Sequence, residues 1–253
     1  MKIVVTGGGT GGHIYPALAL AGGFRAARPD VQVLYVGAAN GMEQELAARA
    51  GYEFRGVSVA PLARSSMSQL VQGLKVNSLG LKQAKKIMRE FQPDLVCGTG
   101  GYVCGPVVLA ACQLHIPTMI HEQNAVPGIA NKALSLFCDL ICLTFPQAAS
   151  HLFHKKRQIL TGLPVRAEIL NAQKAAGVAE YQLDPARPIL VVTGGSQGAR
   201  KLNQTMVPLW RSLLDNGVQI VHITGPKLYE ETLLAAGEQG VAEQPDLHLL
   251  PYA

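Results

Sequence analysis

Twice in this chain an apolar strand runs into glycines and then into a helix. Val4-Val5-Thr6-Gly7-Gly8 recurs as Val191-Val192-Thr193-Gly194-Gly195. Few folds are built from such a unit. Glycine lets the backbone turn sharply at the carboxyl end of a strand, and the following helix packs back on the same sheet, as in a doubly wound parallel sheet. Between the two copies the alternation continues. Strands are expected over 2–6, 31–36, 54–59, 95–97, 118–120 and 140–143, separated by helices over 12–28, 42–50, 69–91, 105–114 and 128–137. After the second copy come a helix over 202–214, a strand over 219–223, a helix over 227–236 and a strand over 247–250. The reading is α/β, with two Rossmann-like parallel-sheet domains over 1–162 and 163–253. They divide near Thr161-Gly162-Leu163-Pro164, where Gly and Pro break the pattern. The second stops just after a strand and is expected to be incomplete.

Composition narrows the classes. With 48% hydrophobic and 15% charged residues over 253 positions, the chain is too apolar to be disordered. The longest uncharged apolar stretch, Tyr102–Leu114, is too short to span a bilayer, and the N-terminus lacks a secretory h-region. A cytoplasmic protein is expected. The net charge of +5 suits an anionic ligand or an anionic membrane surface and does not by itself call for nucleic acid. Five cysteines, all in apolar runs and without a CxxC, are expected as buried free thiols. There is no HExxH and no DxD-type pair at a strand end, so no metal is expected, and neither a cofactor nor a serine nucleophile is expected.

Three glycine loops lie at carboxyl ends of strands. The first is Gly7-Gly8-Gly9-Thr10-Gly11-Gly12-His13. The second is Gly98-Thr99-Gly100-Gly101-Tyr102. The third is Gly194-Gly195-Ser196-Gln197-Gly198-Ala199-Arg200. Backbone N–H groups at a helix start favour an anionic or sugar-phosphate ligand, so Gly9, Gly100, Gly101, Gly195, Gln197 and Gly198 are candidate phosphate-loop positions. Two loops in the first domain and one in the second point to a cleft between them. The first loop also satisfies Gly-x-Gly-x-x-Gly, but the second strand ends Tyr35-Val36-Gly37-Ala38-Ala39, without the carboxylate that a dinucleotide ribose needs. Walker spacing is present too, with His13-Ile14 where Lys-Ser/Thr would stand.

His121-Glu122-Gln123-Asn124 follow the apolar strand Thr118-Met119-Ile120. Four hydrogen-bonding side chains there are hard to explain as packing, although a helix cap before Pro127 would use some of them. His13 at a helix start is either a capping residue or a neutral base, because the positive helix end disfavours imidazolium. Arg166, after Leu163-Pro164-Val165, is either a phosphate partner or a surface charge.

These motifs, together with Gly100-Gly101-Tyr102-Val103-Cys104-Gly105-Pro106, occur in an order that closely resembles the MurG family, the N-acetylglucosaminyltransferases of peptidoglycan synthesis. The resemblance covers essentially the whole chain. It implies a GT-B fold and an inverting, metal-independent transfer of GlcNAc from UDP-GlcNAc to the 4-hydroxyl of undecaprenyl-pyrophosphoryl-MurNAc-pentapeptide (lipid I), giving lipid II. It assigns the acceptor to the first domain and the donor to the second. Thr10, Gly11, Gly12, Asn124, Arg166 and Ser196 match donor-binding positions. His13, Tyr102 and Glu122 match active-site positions, with Glu122 or His13 as the base. Leu163 stands where the family usually has Asn. The family's main uridine-binding segment would lie beyond Ala253, so weak or no UDP-GlcNAc binding is expected of these residues alone.

A helix carrying Leu70, Val71, Leu74, Leu79, Leu81 and Ile87 among Lys75, Lys82, Lys85, Lys86 and Arg89 suits an anionic leaflet, or else a sheet-packed helix with a solvated basic face. The expected place is the cytoplasmic face of the bacterial cell membrane, peripherally bound, with no nucleic-acid partner. The alternatives are a non-catalytic sugar-nucleotide or lipid-binding fragment and, less favoured, an NAD(P)-dependent oxidoreductase.

Overall fold

A computed structural model describes residues 1–61, 66–153, 157–195 and 197–252. The chain forms two compact units, Met1–Leu170 and Asn171–Ala253.

In the first unit the elements run β1 (Lys2–Thr6), α1 (Gly11–Ala27), β2 (Gln32–Ala38), α2 (Glu43–Arg49), β3 (Glu53–Val57), α3 (Met67–Phe91), β4 (Leu95–Gly98) and α4 (Cys104–Gln113). Then come β5 (Thr118–Glu122), α5 (Ile129–Leu134), β6 (Leu140–Leu143), β7 (Gln158–Leu160) and α6 (Ala167–Leu170). The strands make a seven-stranded parallel sheet in the order β3-β2-β1-β4-β5-β6-β7. The order reverses beside β1, the point where doubly wound sheets open a crevice. Each face carries a core. Ile3, Val5, Ile14, Ala17 and Tyr35 pack on the α1–α2 side, and Val4, Val96, Val107, Met88 and Ile120 on the α3–α4–α5 side. Alternate residues of β1 thus face opposite cores, which is why this strand is a continuous apolar run.

Local chemistry sets the ends of α3. Ser66 caps it by accepting Gln69 N–H at 3.2 Å, so the helix starts before the apolar periodicity does. Gln92 ends it in the left-handed region (φ 53°), ahead of Pro93. The apolar stripe divides. Ala84, Ile87 and Met88 enter the core, with Leu81 packed against it, whereas Val71, Leu74 and Leu79 stand 44%, 53% and 50% exposed. Lys75, Lys82, Lys86 and Arg89 are exposed as well.

The second unit contains α7 (Lys174–Glu180), β8 (Ile189–Thr193), α8 (Arg200–Met206), α9 (Trp210–Asp215), β9 (Gln219–Ile223), α10 (Tyr229–Glu238) and β10 (Leu247–Leu250). Its parallel sheet has the order β10-β9-β8, and β8 bears the repeated sequence unit. The single helix expected over 202–214 is instead two, separated by a 3-10 turn at Val207–Leu209, because Pro208 cannot donate within a continuing helix. The break lets Trp210 turn fully inward onto Met206, Ile220 and Ala236. All five cysteines are free; four are buried and Cys112 is half-buried.

Candidate active site

The first two glycine loops are stitched together by backbone. Gly8 N–H donates to Gly100 O at 3.3 Å, Thr99 N–H to Thr6 O at 2.9 Å, and Thr99 Oγ1 to His13 O at 2.7 Å. Close packing explains the glycines of the first loop. A Cβ on Gly7 would strike the Thr99 hydroxyl, and one on Gly8 the Glu43 carboxylate. One on Gly9 (φ +87°) would lie 2.7 Å from the Tyr102 ring. Gly9 N–H donates to Glu43 Oε1 at 2.9 Å. A dinucleotide fingerprint requires its second glycine bare so that pyrophosphate can approach. Here Gly9 is exposed with the Tyr102 ring beside it, and its N–H is taken by Glu43. The N–H groups of Gly11, which is buried, and Gly12, which is exposed, belong to the first turn of α1 after the extended Thr10, where no preceding helical turn supplies acceptors.

β5 runs two residues further than its apolar pattern and carries His121 and Glu122 into the interior. Glu122 is 1% exposed. Its Oε1 accepts from Asn124 N (2.9 Å) and Asn124 Nδ2 (3.0 Å), and its Oε2 from Gly128 N (3.1 Å) and Asn131 Nδ2 (2.9 Å). Four donors close around this carboxylate and fold the 122–131 segment over it.

His13 contrasts with it. The ring is half-buried, and Nδ1 lies 3.0 Å from Thr99 O and 3.2 Å from Gln123 Oε1. A carbonyl only accepts, so Nδ1 carries the proton and Nε2 of the neutral ring holds a lone pair. The Gln123 orientation agrees, since its Nε2 donates to His121 O at 3.0 Å. His121 completes the chain. Its Nε2–H donates to Gly162 O at 2.9 Å, and Nδ1 takes the Gln123 amide at 3.2 Å. A directional relay therefore runs from His13 through Gln123 and His121 to the carbonyl of Gly162, between β7 and α6.

Burial holds the His121 pKa below the ordinary imidazole value, against the opposing effect of Gly162 O. In the unfolded chain the ring titrates near about 6.5. Below that pH the unfolded state takes up a proton that the folded ring resists, so this contribution is full above about 6.5 and is lost as pH falls through it. The urea midpoint should drop between pH 7.5 and 5.5, and less steeply in His121→Gln. Equal slopes would show that His121 does not govern this window.

Tyr102, His13, Glu122 and Asn124 thus all sit in the first unit, on or beside loops interlocked at the ends of β1, β4 and β5. Arg166 joins them by stacking its guanidinium 4.4 Å over Tyr15, two residues along α1 from His13. The third loop belongs to the second unit. Gly195 N–H donates to Thr193 Oγ1 at 3.3 Å, and Gly198 N–H to Gly195 O at 2.9 Å. Gly198 (φ +74°) lies against Thr224 and Gly225, and Arg200 pairs with Glu231. Gln197 sits in the turn; Ser196 lies outside the described residues. Glu43, Thr99, Tyr15 and Asn131 were not singled out from sequence. Only Glu43 left a trace there, as an acidic residue just after Gly41 at a helix start. Among the described residues, no group of three His, Cys, Asp or Glu side chains is placed to hold a metal ion.

The glycosyltransferase family 28 N-terminal domain matches residues 3–142 of this chain, and the family 28 C-terminal domain matches residues 189–253. The chain belongs to glycosyltransferase family 28. A relative from Desulfitobacterium hafniense is 47% identical over 248 residues, 96% of this chain and 66% of the relative. It is named UDP-N-acetylglucosamine–N-acetylmuramyl-(pentapeptide) pyrophosphoryl-undecaprenol N-acetylglucosamine transferase. The chain spans about two thirds of the length of the curated relatives it matches. The crystal structure of Acinetobacter baumannii MurG superposes with a TM-score of 0.67 at 27% identity, covering 100% of this chain and 68% of that one. The UDP-GlcNAc 2-epimerase from Neisseria meningitidis, bound to UDP-GlcNAc, shares the fold alone, with a TM-score of 0.65 at 12% identity, covering 100% of this chain and 72% of that one.

Proposed function

We propose that the protein is an inverting N-acetylglucosaminyltransferase that moves GlcNAc from UDP-GlcNAc to the 4-hydroxyl of the MurNAc in undecaprenyl-pyrophosphoryl-MurNAc-pentapeptide. The observation that carries this reading is the 47% identity, over nearly the whole chain, to a relative named for that transfer. In this reading the first unit takes the lipid-linked acceptor and the second takes the donor.

The base is His13. Its Nε2 lone pair takes the acceptor hydroxyl proton as the oxygen attacks the anomeric carbon from the face opposite UDP. The new glycosidic bond forms while the bond to the diphosphate oxygen breaks, and UDP leaves as the anion. Thr99 O and Gln123 Oε1, both on Nδ1, hold the ring and stabilise the imidazolium that results. Glu122 shapes the 122–131 segment and presents Asn124; it has no free lone-pair direction facing a hydroxyl. The N–H groups of Gly11 and Gly12, with Arg166, supply positive potential for donor phosphates without a metal. Transfer from UDP-GlcNAc to a lipid I analogue tests the reading. Absence of transfer by a chimera that adds the C-terminal third of the D. hafniense relative would refute it.

Attachment to the cytoplasmic leaflet is part of the proposal. Among the described residues no helix is long and apolar enough to cross a membrane. The outer face of α3 supports surface binding, with Val71, Leu74 and Leu79 exposed between Lys75, Lys82 and Lys86. Each cation near an anionic surface contributes about 1 kcal/mol. Lys75→Gln, Lys82→Gln and Lys86→Gln together should weaken binding to phosphatidylglycerol vesicles by about tenfold or more. Added salt should mimic the change, since charges are screened beyond about 10 Å at 0.1 M. Cosedimentation unaffected by both would remove α3 from the contact.

A further inference from the structure

Glu43 lies outside every motif by which the sequence is recognised, yet it is the most deeply placed carboxylate beside the first loop. It opens α2, is 0% exposed, and reaches under the turn that links β1 to α1. A carboxylate stays at such depth only when something holds it there. One oxygen accepts Gly9 N–H; the other is buried, without a hydrogen-bond partner, against Gly41. Gly8 and Gly41 both lack the Cβ that would collide with this carboxylate, and the Tyr102 ring stands where a Cβ on Gly9 would lie. Two glycines and an aromatic ring are thus arranged around one side chain.

We propose that Glu43 is the positioning residue of the first glycine loop: its carboxylate occupies the N–H that a phosphate would take at Gly9, holds the loop in its left-handed turn, and confines the ligand-facing donors to Gly11 and Gly12. The inference rests on the reading of this loop as a ligand loop. It makes Glu43 a specificity determinant as well, because a fixed negative charge at Gly9 repels a pyrophosphate seated there, while the start of α1 stays open to one. A loop that matches a dinucleotide fingerprint is thereby closed to dinucleotides. The Tyr102 phenol is raised above its ordinary pKa first by burial and second by Glu43, so it remains a hydrogen-bond donor at neutral pH.

Amide hydrogen exchange on the 15N-labelled 253-residue protein, with inorganic pyrophosphate as the probe, tests this. Gly9 N–H should be protected in the native protein, exchange at least about tenfold faster in Glu43→Ala, and stay near native in Glu43→Gln, which keeps the accepting oxygen. Pyrophosphate should shift the Gly11 and Gly12 amides but not Gly9 in the native protein, and should shift Gly9 as well in Glu43→Ala. Unchanged Gly9 exchange in a folded Glu43→Ala, or a Gly9 shift in the native protein, overturns the proposal. Should Glu43→Ala not fold, Glu43→Gln decides: its Tyr102 phenol titrates lower than native if the charge sits where the geometry has it, and an unmoved Tyr102 overturns the role. If pyrophosphate moves none of the three amides, the ligand-loop reading fails, while Gly9 exchange still decides whether Glu43 holds the turn.

Discussion

Replacing His13 by Asn is expected to lower kcat for GlcNAc transfer by about 10²–10⁴ with little change in donor KM. Asn is a demanding control. At the third position of α1 its side chain tolerates the helix start, and its amide NH₂ can still donate to Thr99 O as His13 Nδ1–H does. Packing and the interlocked loops therefore survive, and only the Nε2 lone pair is lost. A drop in kcat at constant KM marks an interaction made in the transition state alone. The measurement is initial-rate kinetics on the chimera with the D. hafniense C-terminal third, and circular dichroism checks the fold. Turnover within a few-fold of the unmutated chimera would remove His13 as the base and shift the search to the acceptor's own pyrophosphate.

How much of this was legible in the sequence differs by level. The alternation of apolar runs and helical patterns is a local signal, and the order of β1 to β6 along the chain follows from it. The short β7 and the four-residue α6 carry too few residues to show a period. Pro208 was visible, but its effect depended on whether Trp210 had a core to turn into. At the site, the loops could be located because glycine after a strand is a local feature. Their reason for being glycine could not, since it lies in Thr99, Glu43 and Tyr102, which reach the loop through contacts between residues far apart in sequence. His121 and Glu122 show the same limit. Polar residues after an apolar strand look like a solvent-facing edge, whereas β5 continues and Asn131 and Gly128 turn inward to satisfy them. The α3 stripe left open an anionic leaflet or the sheet as its partner, and the sheet takes one half of it and leaves the other outside.

That buried network makes the usual conservative test of Glu122 a severe one. Glu122→Gln preserves shape, and at an exposed catalytic carboxylate it would remove charge alone. Here every group that touches the carboxylate is a donor: Asn124 N and Nδ2 on one oxygen, Gly128 N and Asn131 Nδ2 on the other. Whichever way the new amide turns, its NH₂ faces two N–H groups at hydrogen-bond distance. Two acceptor contacts become two clashes of like dipoles, and the displaced donors have no water within reach at 1% exposure. Losing charge-assisted bonds at about 1.5–3 kcal/mol each, offset in part by the relief of a buried charge, predicts a net destabilisation of about 2–4 kcal/mol. For a unit of this size that lowers Tm by about 5–15 °C. Asn131→Ala removes one donor and spares the other three, so its loss should be smaller, and Glu122→Gln on top of it should cost less than in the native background, because one clash is already gone. Thermal unfolding of the four proteins in this double-mutant cycle measures both effects. A Glu122→Gln variant with native Tm and strongly reduced turnover would show instead that the carboxylate opens to the acceptor during the reaction, and the base would then be sought at Glu122 rather than at His13.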